Sequence, residues 1–288
     1  MTGLVYKILA DNFYVASEDK TFVCSARGIL KENGILVGDR VEFNENENNI
    51  TKVYARKNQL IRPPLANLNK LIIVISSVPK PDFMIVDKLI LFSFCYGVEP
   101  IIVVNKIDLS ENLFDEVKCI YQNVVKYILS TNALLGEGID NLKNVMRDGL
   151  CAFAGQSAVG KSALVNNILK RYSTKVGEIS IKNQKGKNTT RHCEIFIEDE
   201  IMVTDTAGFT SLDEKLLPIA YYELPYYYPD FLKYHDACKY KSCAHFNEKV
   251  EDCAVKRAVL ENKIDRNRFL RYKEIYNTLL EKWVKTHG

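Results

Sequence analysis

An eight-residue segment in the middle of the chain, at positions 155–162, constrains the fold more than any other feature. It reads Gly-Gln-Ser-Ala-Val-Gly-Lys-Ser and fits the pattern G-x4-G-K-S. The apolar run 150–154 precedes it and a helix-like run follows it, which is the strand–loop–helix context of a phosphate site. A plain glycine-containing turn is the simpler alternative, but the complete motif in this context argues against it. We therefore predict an α/β domain that binds a nucleotide.

The residues of this motif have distinct physical roles. Backbone N–H groups near the glycines can surround phosphate oxygens, and the following helix adds the positive end of its dipole. Lys161 can reach the β- and γ-phosphates, and the Ser162 hydroxyl can bind Mg²⁺. The residues of this segment that we predict to contact the nucleotide are Gly155, Gln156, Ser157, Ala158, Val159, Gly160, Lys161, Ser162 and Ala163.

A second motif, Asn-Lys-Ile-Asp, follows the apolar run 100–104 and indicates a guanine site at the carboxyl end of a strand. The Asp108 carboxylate can accept hydrogen bonds from the ring N–H and the exocyclic amine of guanine. Adenine lacks those donors on that edge, so a carboxylate there discriminates against it. Ser130 lies in a candidate for a second base-contacting loop, although an ordinary turn explains it almost as well. The predicted base-site residues are Asn105, Lys106, Ile107, Asp108 and Ser130.

Two further segments match the parts of a GTPase that sense the γ-phosphate. Asp205 begins the sequence Asp-Thr-Ala-Gly after the apolar run 201–204. We predict that it holds Mg²⁺ through water and that the Gly208 N–H bonds the γ-phosphate. An upstream polar loop offers a threonine to Mg²⁺, and the sequence leaves Thr189 and Thr190 as equal candidates. The predicted catalytic residues are Lys161, Thr189, Thr190 and Gly208, and the predicted Mg²⁺-associated residues are Ser162 and Asp205.

The order of these motifs along the chain is unusual. A conventional GTPase begins with its phosphate loop and ends with N-K-x-D, whereas here N-K-x-D comes about fifty residues before the phosphate loop. Circular permutation reconnects strands without moving them, so all the motifs still fit one sheet. The sequence therefore predicts a GTPase domain with circularly permuted topology.

Local composition and the pattern of apolar residues divide the chain into three parts. Residues 1–62 contain short strand-like runs separated by turn residues, which predicts a small β-barrel. Residues 63–213 alternate Val/Ile-rich runs with helical stretches, which predicts a largely parallel sheet buried on both faces. Residues 214–288 combine a Tyr/Pro-rich stretch, a Cys/His cluster and a basic helical tail. We predict a multidomain protein whose C-terminal domain is mostly α-helical and binds zinc.

Three cysteines and one histidine collect within sixteen residues near the C-terminus. Three thiolates and one imidazole suit a closed, tetrahedral, structural Zn²⁺ site, and four protein ligands leave no open position for catalysis. Ordinary buried or free thiols are the alternative, which this clustering disfavours. His235 is a spare candidate that we expect at the surface. The predicted ligands of one zinc ion per chain are Cys238, Cys243, His245 and Cys253.

Charge and hydropathy limit the remaining function classes. The net charge is only +3, so an affinity for nucleic acid has to come from local basic surfaces. Basic residues concentrate at 170–191 and at 256–273, and such runs suit a phosphate backbone. A solvated helix face or loop is the alternative for each run. No apolar run approaches the roughly eighteen residues of a membrane span. No export signal is visible at the N-terminus, so we expect reduced cysteines and a cytoplasmic protein.

Over nearly its whole length the sequence resembles the RsgA family, circularly permuted bacterial GTPases of small ribosomal subunit biogenesis. The resemblance rests on the permuted motifs, the Cys/His cluster, Val-Gly-Asp-Arg-Val at 37–41, and Arg-Pro-Pro at 62–64 followed by Ala66 and Asn67. It implies an N-terminal OB-fold and a zinc-binding C-terminal domain. It also implies GTP hydrolysis that is slow alone, stimulated by the 30S subunit, and coupled to late maturation of that subunit. GTP or GDP and 16S rRNA are the implied partners, and we assume a monomer.

Two positions bear on the rate of hydrolysis. Phe209 stands where Ras-like enzymes place a water-orienting glutamine, a trait that the family shares. Asn188 stands where the family usually carries a histidine before the two threonines, and an amide cannot act as a base near neutral pH. These two residues keep open a second function, an RNA-binding module with a degenerate nucleotide site. A third function is a permuted GTPase that acts on the large subunit, against which the barrel and the Cys/His cluster argue by resemblance.

Overall fold

A computed structural model of the chain describes residues 1–18, 20–26, 28, 30, 34–110, 112–169, 193–204 and 217–287. Several predictions fall outside these residues. They concern Thr189, Thr190, Asp205, Gly208 and the basic run at 170–191.

The N-terminal region is an antiparallel sheet with the strand order β3-β2-β1-β4-β5. Its strands are β1 (Thr2–Leu9), β2 (Asn12–Ser17), β3 (Lys20–Cys24), β4 (Arg40–Asn44) and β5 (Asn49–Val53). Alternate side chains face one core, which includes Val5, Phe13, Val15, Val41 and Phe43. This alternation follows from the two-residue period of a strand. The predicted β-sheet domain at the N-terminus is confirmed.

The central region is a six-stranded sheet with the order β10-β9-β8-β11-β13-β12. Its strands are β8 (Leu68–Ile75), β9 (Glu99–Asn105), β10 (Tyr127–Thr131), β11 (Leu150–Ala154), β12 (Ile195–Glu198) and β13 (Ile201–Thr204). A two-stranded ribbon, β6 (Gln59–Leu60) and β7 (Leu65–Ala66), precedes it. β11 and β13 are parallel, and β12 pairs antiparallel with β13. Every residue of β11 is buried, as expected for a strand covered on both faces.

Helices follow the strands of the central region and dominate the C-terminal region. Among the described residues of these two regions, the α-helices are α1 (Phe83–Cys95), α2 (Leu113–Tyr121), α3 (Ile139–Met146), α4 (Lys161–Ile168), α5 (Pro229–His235), α6 (Ala254–Leu260) and α7 (Arg266–His287). Short 3-10 helices cover Ile107–Leu109, Tyr221–Tyr227 and Val250–Asp252. Asp82 caps α1, because its carboxylate accepts hydrogen bonds from the N–H groups of Met84 and Ile85. The predicted α/β centre and mostly helical C-terminal region are confirmed.

The chain packs as two compact units, and the division falls inside β8. The first unit comprises Met1–Ile72, Thr131–Ala154 and Gly160–Thr210. The second comprises Ile73–Ser130, Gly155–Val159 and Ser211–Gly288. The second unit therefore contains α1, β9 and the C-terminal helices.

A buried acid–arginine cluster lies within the second unit and consists of Asp87, Asp230, Arg268 and Arg271. Arg268 is 1% exposed, and its guanidinium donates to Asp230 (Nε to Oδ2, 2.9 Å) and to Asp87. Arg271 also donates to Asp87, and the Tyr228 ring lies 4.7 Å from the Arg268 guanidinium carbon. Both arginines belong to the run 256–273, in which we predicted a basic surface. For these two residues the prediction is wrong, because buried carboxylates hold them inside the protein.

Candidate nucleotide site and metal centre

The phosphate-loop segment begins directly after β11, and α4 begins at Lys161. Gly155 has a φ of +127°, and a Cβ at this position would lie 2.2 Å from the Val74 carbonyl oxygen. Only glycine fits such a close backbone approach. The neighbouring Ala158 also has a positive φ, +65°, which is unfavourable for a residue with a Cβ. Glycine at position 155 therefore lets the loop backbone pass close to β8, and Ala158 adopts a left-handed backbone conformation.

The side chain of Gln156 anchors the loop to the segment that precedes α1. Its Oε1 accepts a hydrogen bond from the Asp82 N–H at 2.9 Å, and its Nε2 donates to the Lys80 carbonyl at 3.2 Å. The amide therefore bonds to backbone on both sides of residue 81. Because the side chain is engaged in this way, a nucleotide contact at Gln156 has to come from its backbone N–H.

Two side chains of the Asn-Lys-Ile-Asp motif contact the phosphate-loop segment within the second unit. The Asn105 amide donates to the Val159 carbonyl at 2.9 Å. The Lys106 ammonium donates to the carbonyls of Ala158 at 2.7 Å and of Val78 at 2.8 Å. Lys106 itself has a φ of +58°. Residues that are about fifty positions apart in sequence are therefore brought together, as expected if the motifs serve one ligand.

The other predicted base-site residues lie at strand ends. Asp108 is exposed in the 3-10 helix that follows β9, so its carboxylate stands at the carboxyl end of that strand. Ser130 is the penultimate residue of β10. After this strand, the Asn132 side chain accepts hydrogen bonds from the N–H groups of Leu134 and Leu135. That turn is the ordinary Asn-stabilised kind, and the described contacts leave the role of Ser130 a prediction.

Lys161 and Ser162 occupy the first turn of α4. Burial lowers the pKa of the Lys161 ammonium from its ordinary value, because desolvation disfavours the charged form. An anion beside the ammonium would offset that cost. The position at a helix N-terminus suits a phosphate for the same electrostatic reason.

The four predicted zinc ligands meet in one cluster in the second unit. Their ligand atoms all lie within 4.8 Å of one another. The Nδ1 atom of His245 is 3.3 Å from the sulfurs of Cys243 and Cys253 and 3.8 Å from that of Cys238. An ideal tetrahedral Zn²⁺ places a ligand nitrogen and sulfur about 3.5 Å apart, as follows from its bond lengths. The donor set and its spacing therefore fit a structural zinc ion.

The protonation states of the cluster residues follow from burial. Burial, reinforced by the nearby His235, lowers the pKa of His245 to about 4. Its imidazole is consequently neutral at pH 7 and can offer a lone pair to a metal. Burial also raises the pKa values of the Cys243 and Cys253 thiols. A cation that binds here therefore has to displace thiol protons, which couples metal binding to proton release.

For His235, which lies beside this cluster, the prediction from the sequence is wrong. We expected His235 at the surface, but it is half-buried and its Nδ1 lies 3.1 Å from the Nε2 of His245. Its other ring nitrogen lies 3.1 Å from the Lys241 carbonyl oxygen. The only sequence signal was its position three residues before Cys238. That spacing reveals proximity to the cluster but not which atoms meet.

Residues 2–52 match the model of the RsgA N-terminal domain, and residues 53–215 match that of the RsgA GTPase. The chain belongs to the RsgA GTPase family. It is accordingly a GTP hydrolase, and the resemblance predicted from the motifs is confirmed.

Curated RsgA relatives match over nearly the full length. The chain is 37% identical to the small ribosomal subunit biogenesis GTPase RsgA of Caldanaerobacter subterraneus, over 97% of this chain and 96% of that protein. It is 35% identical to the protein of the same name from Bacillus anthracis, over 97% and 98%. These alignments include the N-terminal sheet, the RsgA GTPase region and the metal cluster.

Two solved structures share the fold. YjeQ from Thermotoga maritima superimposes with a TM-score of 0.81 at 29% identity, over 97% of this chain and 98% of that one. YloQ, described as a circularly permuted GTPase, gives a TM-score of 0.79 at 28% identity, over 98% and 95%. The predicted circular permutation is thereby confirmed. Among the residues that the structure describes, no helix combines the length and apolar character that a membrane crossing requires.

Proposed function

We propose that this RsgA-family GTPase hydrolyses GTP to GDP and phosphate, slowly alone and faster on the 30S ribosomal subunit, and assists late maturation of that subunit. The curated relatives carry the name small ribosomal subunit biogenesis GTPase, which supports this substrate and partner. Ribosome assembly of this kind takes place in the cytoplasm, where we expect the protein to act. The proposed boundaries are an OB-fold at 1–62, the permuted GTPase domain at 63–213 and the zinc-binding domain at 214–288.

The observation that carries the proposal is the direct contact between the base motif and the phosphate-loop segment. Lys106 donates to the Ala158 carbonyl and Asn105 donates to the Val159 carbonyl. Each bond fixes one end of a guanine nucleotide site relative to the other. These two hydrogen bonds suit a ligand that carries both a base and phosphates. A ligand with phosphates alone would not require the phosphate loop to contact the N-K-x-D motif.

Within this site we assign guanine recognition to Asp108. Its carboxylate has acceptors only, and guanine offers a ring N–H and an exocyclic amine on one edge. Adenine would leave the carboxylate facing an acceptor, a mismatch that discriminates strongly. Ser130 is proposed as a second base contact. Asn105, Lys106 and Ile107 complete the base site.

Phosphate binding is assigned to the loop backbone and Lys161, with the hydroxyl of Ser162 binding Mg²⁺. The remaining roles rest on sequence and resemblance: Asp205 for Mg²⁺ through water, Thr189 or Thr190 for the metal, and the Gly208 N–H for the γ-phosphate. Phe209 follows Gly208 and cannot orient water as a glutamine does. Slow hydrolysis without a ribosomal partner follows from that substitution.

The metal centre is proposed to hold one Zn²⁺ through three thiolates and the His245 imidazole. With four protein ligands it has no open coordination position, so its contribution is structural. It would fix the chain between α5 and α6, including the loop at 239–252. We further propose that 16S rRNA is the contacted component of the small subunit and that the protein acts as a monomer.

Hydrolysis assays with ribosomal subunits test the function. GTP and ATP turnover of the purified protein is measured alone, with 30S subunits and with 50S subunits. We expect a GTP-specific rate that is low alone and raised by 30S only. Stimulation by 50S instead would identify a large-subunit factor. Nucleotide binding without turnover under every condition would identify an RNA-binding module with a degenerate site.

A base-swap experiment tests the guanine assignment. Asp108→Asn replaces one acceptor by an amide donor, so it should weaken GTP binding and favour XTP, whose exocyclic carbonyl accepts that donor. The matched control is Asp115→Asn, the same change at an exposed position in α2, which should leave nucleotide preference unchanged. Recovery of binding with XTP separates a base-site effect from misfolding. Unaltered preference in Asp108→Asn contradicts the assignment.

A further inference from the structure

The imidazole of His245 faces different groups with its two nitrogens. Its Nδ1 lies 3.3–3.8 Å from the three cysteine sulfurs. Its Nε2 lies 3.1 Å from Nδ1 of His235. His245 is fully buried and has a φ of +56°, so its backbone and ring are both held by their surroundings. Nδ1 is therefore the atom that faces the donor cluster, and Nε2 faces away from it.

The positions of the ring protons follow from this geometry. A ligating Nδ1 must present a lone pair, so the neutral His245 ring carries its proton on Nε2. That proton needs an acceptor, and the atom opposite it is Nδ1 of His235. His235 then carries its own proton on Nε2, which lies 3.1 Å from the Lys241 carbonyl oxygen. A carbonyl oxygen only accepts, so a single arrangement of protons satisfies all three groups.

We propose that His235 is a positioning residue of the metal centre: it accepts the Nε2 proton of His245 and thereby fixes the tautomer and ring orientation in which Nδ1 binds the metal. Outer partners of this kind raise the basicity of a ligating histidine and remove its freedom to rotate. Carboxylates, backbone carbonyls or water usually provide this acceptor, whereas here it is a second imidazole.

The surroundings of His235 support a fixed rather than an incidental contact. It is the last residue of α5, so its backbone is defined by a helix end. The two imidazole rings are 5.1 Å apart and nearly perpendicular, at 88°, and the Tyr226 ring packs 5.4 Å from that of His235. The bond to the Lys241 carbonyl holds the far side of the ring. His235 is accordingly fixed by the helix, by an aromatic neighbour and by a hydrogen bond.

This inference rests on the proposed zinc site, and its test measures Zn²⁺ directly. The dissociation constant of the full-length protein for Zn²⁺ is determined by competition with a chromophoric chelator. We expect His235→Ala to weaken Zn²⁺ binding by about 10- to 100-fold. His287→Ala is the matched control, because it removes an exposed histidine near the end of α7; it should leave the constant unchanged.

A conservative variant separates positioning from general structural damage. His235→Gln keeps a carbonyl that can accept from His245 and an amide that can donate to the Lys241 carbonyl, so it should recover most of the affinity. Wild-type affinity in His235→Ala, or no recovery in His235→Gln, overturns the proposal. Failure of the wild-type protein to bind Zn²⁺ would instead remove the proposed metal site itself, which is a distinguishable outcome.

Discussion

Removal of Asp87 is the most demanding test of the packing described above. Its side chain is 0% exposed and accepts hydrogen bonds from both Arg268 and Arg271. With Asp230, the cluster contains two carboxylates and two guanidiniums and is neutral. Asp87→Ala leaves two guanidiniums facing one carboxylate, so a net positive charge stays buried. We expect this variant to be strongly destabilised.

The magnitude follows from the burial of each partner. Breaking a buried ion pair by removing one partner costs about 3–5 kcal/mol, because the remaining charge stays desolvated. The Arg268 side chain is only 2% exposed and cannot reach water, whereas Arg271 is 12% exposed and regains some solvation. Arg268 therefore dominates the loss, and we expect a decrease of about 3 kcal/mol or more in the free energy of unfolding. Asp87→Asn retains one acceptor and should lose less.

The chain carries a built-in reporter for this measurement. Its only tryptophan, Trp283, lies in α7, the helix that also carries Arg268. Urea unfolding followed by tryptophan fluorescence thus reports the part of the protein in which the cluster lies. Urea is preferable to guanidinium chloride, whose ions screen charge pairs. Glu274→Ala, which removes an exposed carboxylate from the same helix, is the control and should change stability by less than about 0.5 kcal/mol.

Equal stability of Asp87→Ala and Glu274→Ala would refute the reasoning. It would mean that water enters the cluster or that the arginines find other partners at little cost. A large loss in Asp87→Ala together with a smaller loss in Asp87→Asn would support a desolvated cluster.

Three other outcomes follow from the geometry. Ala158→Gly should raise the free energy of unfolding by roughly 0.5–1 kcal/mol, because glycine adopts the positive φ at lower cost than alanine. A lowered melting temperature would contradict this. Gln156→Ala frees the phosphate loop from the backbone of 80–82 and should weaken GDP and GTP binding about equally, which fluorescence titration would check; selective loss of GTP would argue for a γ-phosphate contact instead. Burial raises the pKa of Cys95 to about 12, so only about 10⁻⁴ of this thiol is ionised at pH 8. Alkylation followed by mass spectrometry should therefore label the exposed Cys119 before Cys95. The rate of Cys95 labelling should rise about tenfold for each pH unit below its pKa.

The sequence alone predicted those features whose residues lie close together along the chain. A phosphate loop is recognisable because its strand, glycines and helix are contiguous, and the structure has β11 and α4 on either side of it. The clustering of Cys238, Cys243, His245 and Cys253 was likewise predictable, because the four residues lie within sixteen positions and three thiols with one imidazole form a typical metal-binding set. Strand and helix types followed from apolar runs in the same way.

The sequence failed where a residue's role depends on a distant partner. Arg268 belongs to a basic run, yet its partner Asp87 lies 181 positions earlier, so charge composition could not reveal its burial. His235 lies only ten positions from His245, but its role depends on which ring atoms face each other. Neither of these two contacts produces a periodic pattern or a composition that can be recognised in a single sequence.

The permuted strand order has a consequence for synthesis of the chain. In the finished sheet β8 lies between β9 and β11, but Leu150, where β11 starts, follows Ile75, where β8 ends, by 75 positions. As the chain leaves the ribosome, β9 is available to pair with one side of β8 long before the strand that covers its other side exists. An apolar strand with an open edge is a template for pairing with other chains. Nascent chains that stall before Leu150 are therefore expected to be the aggregation-prone intermediates of this protein.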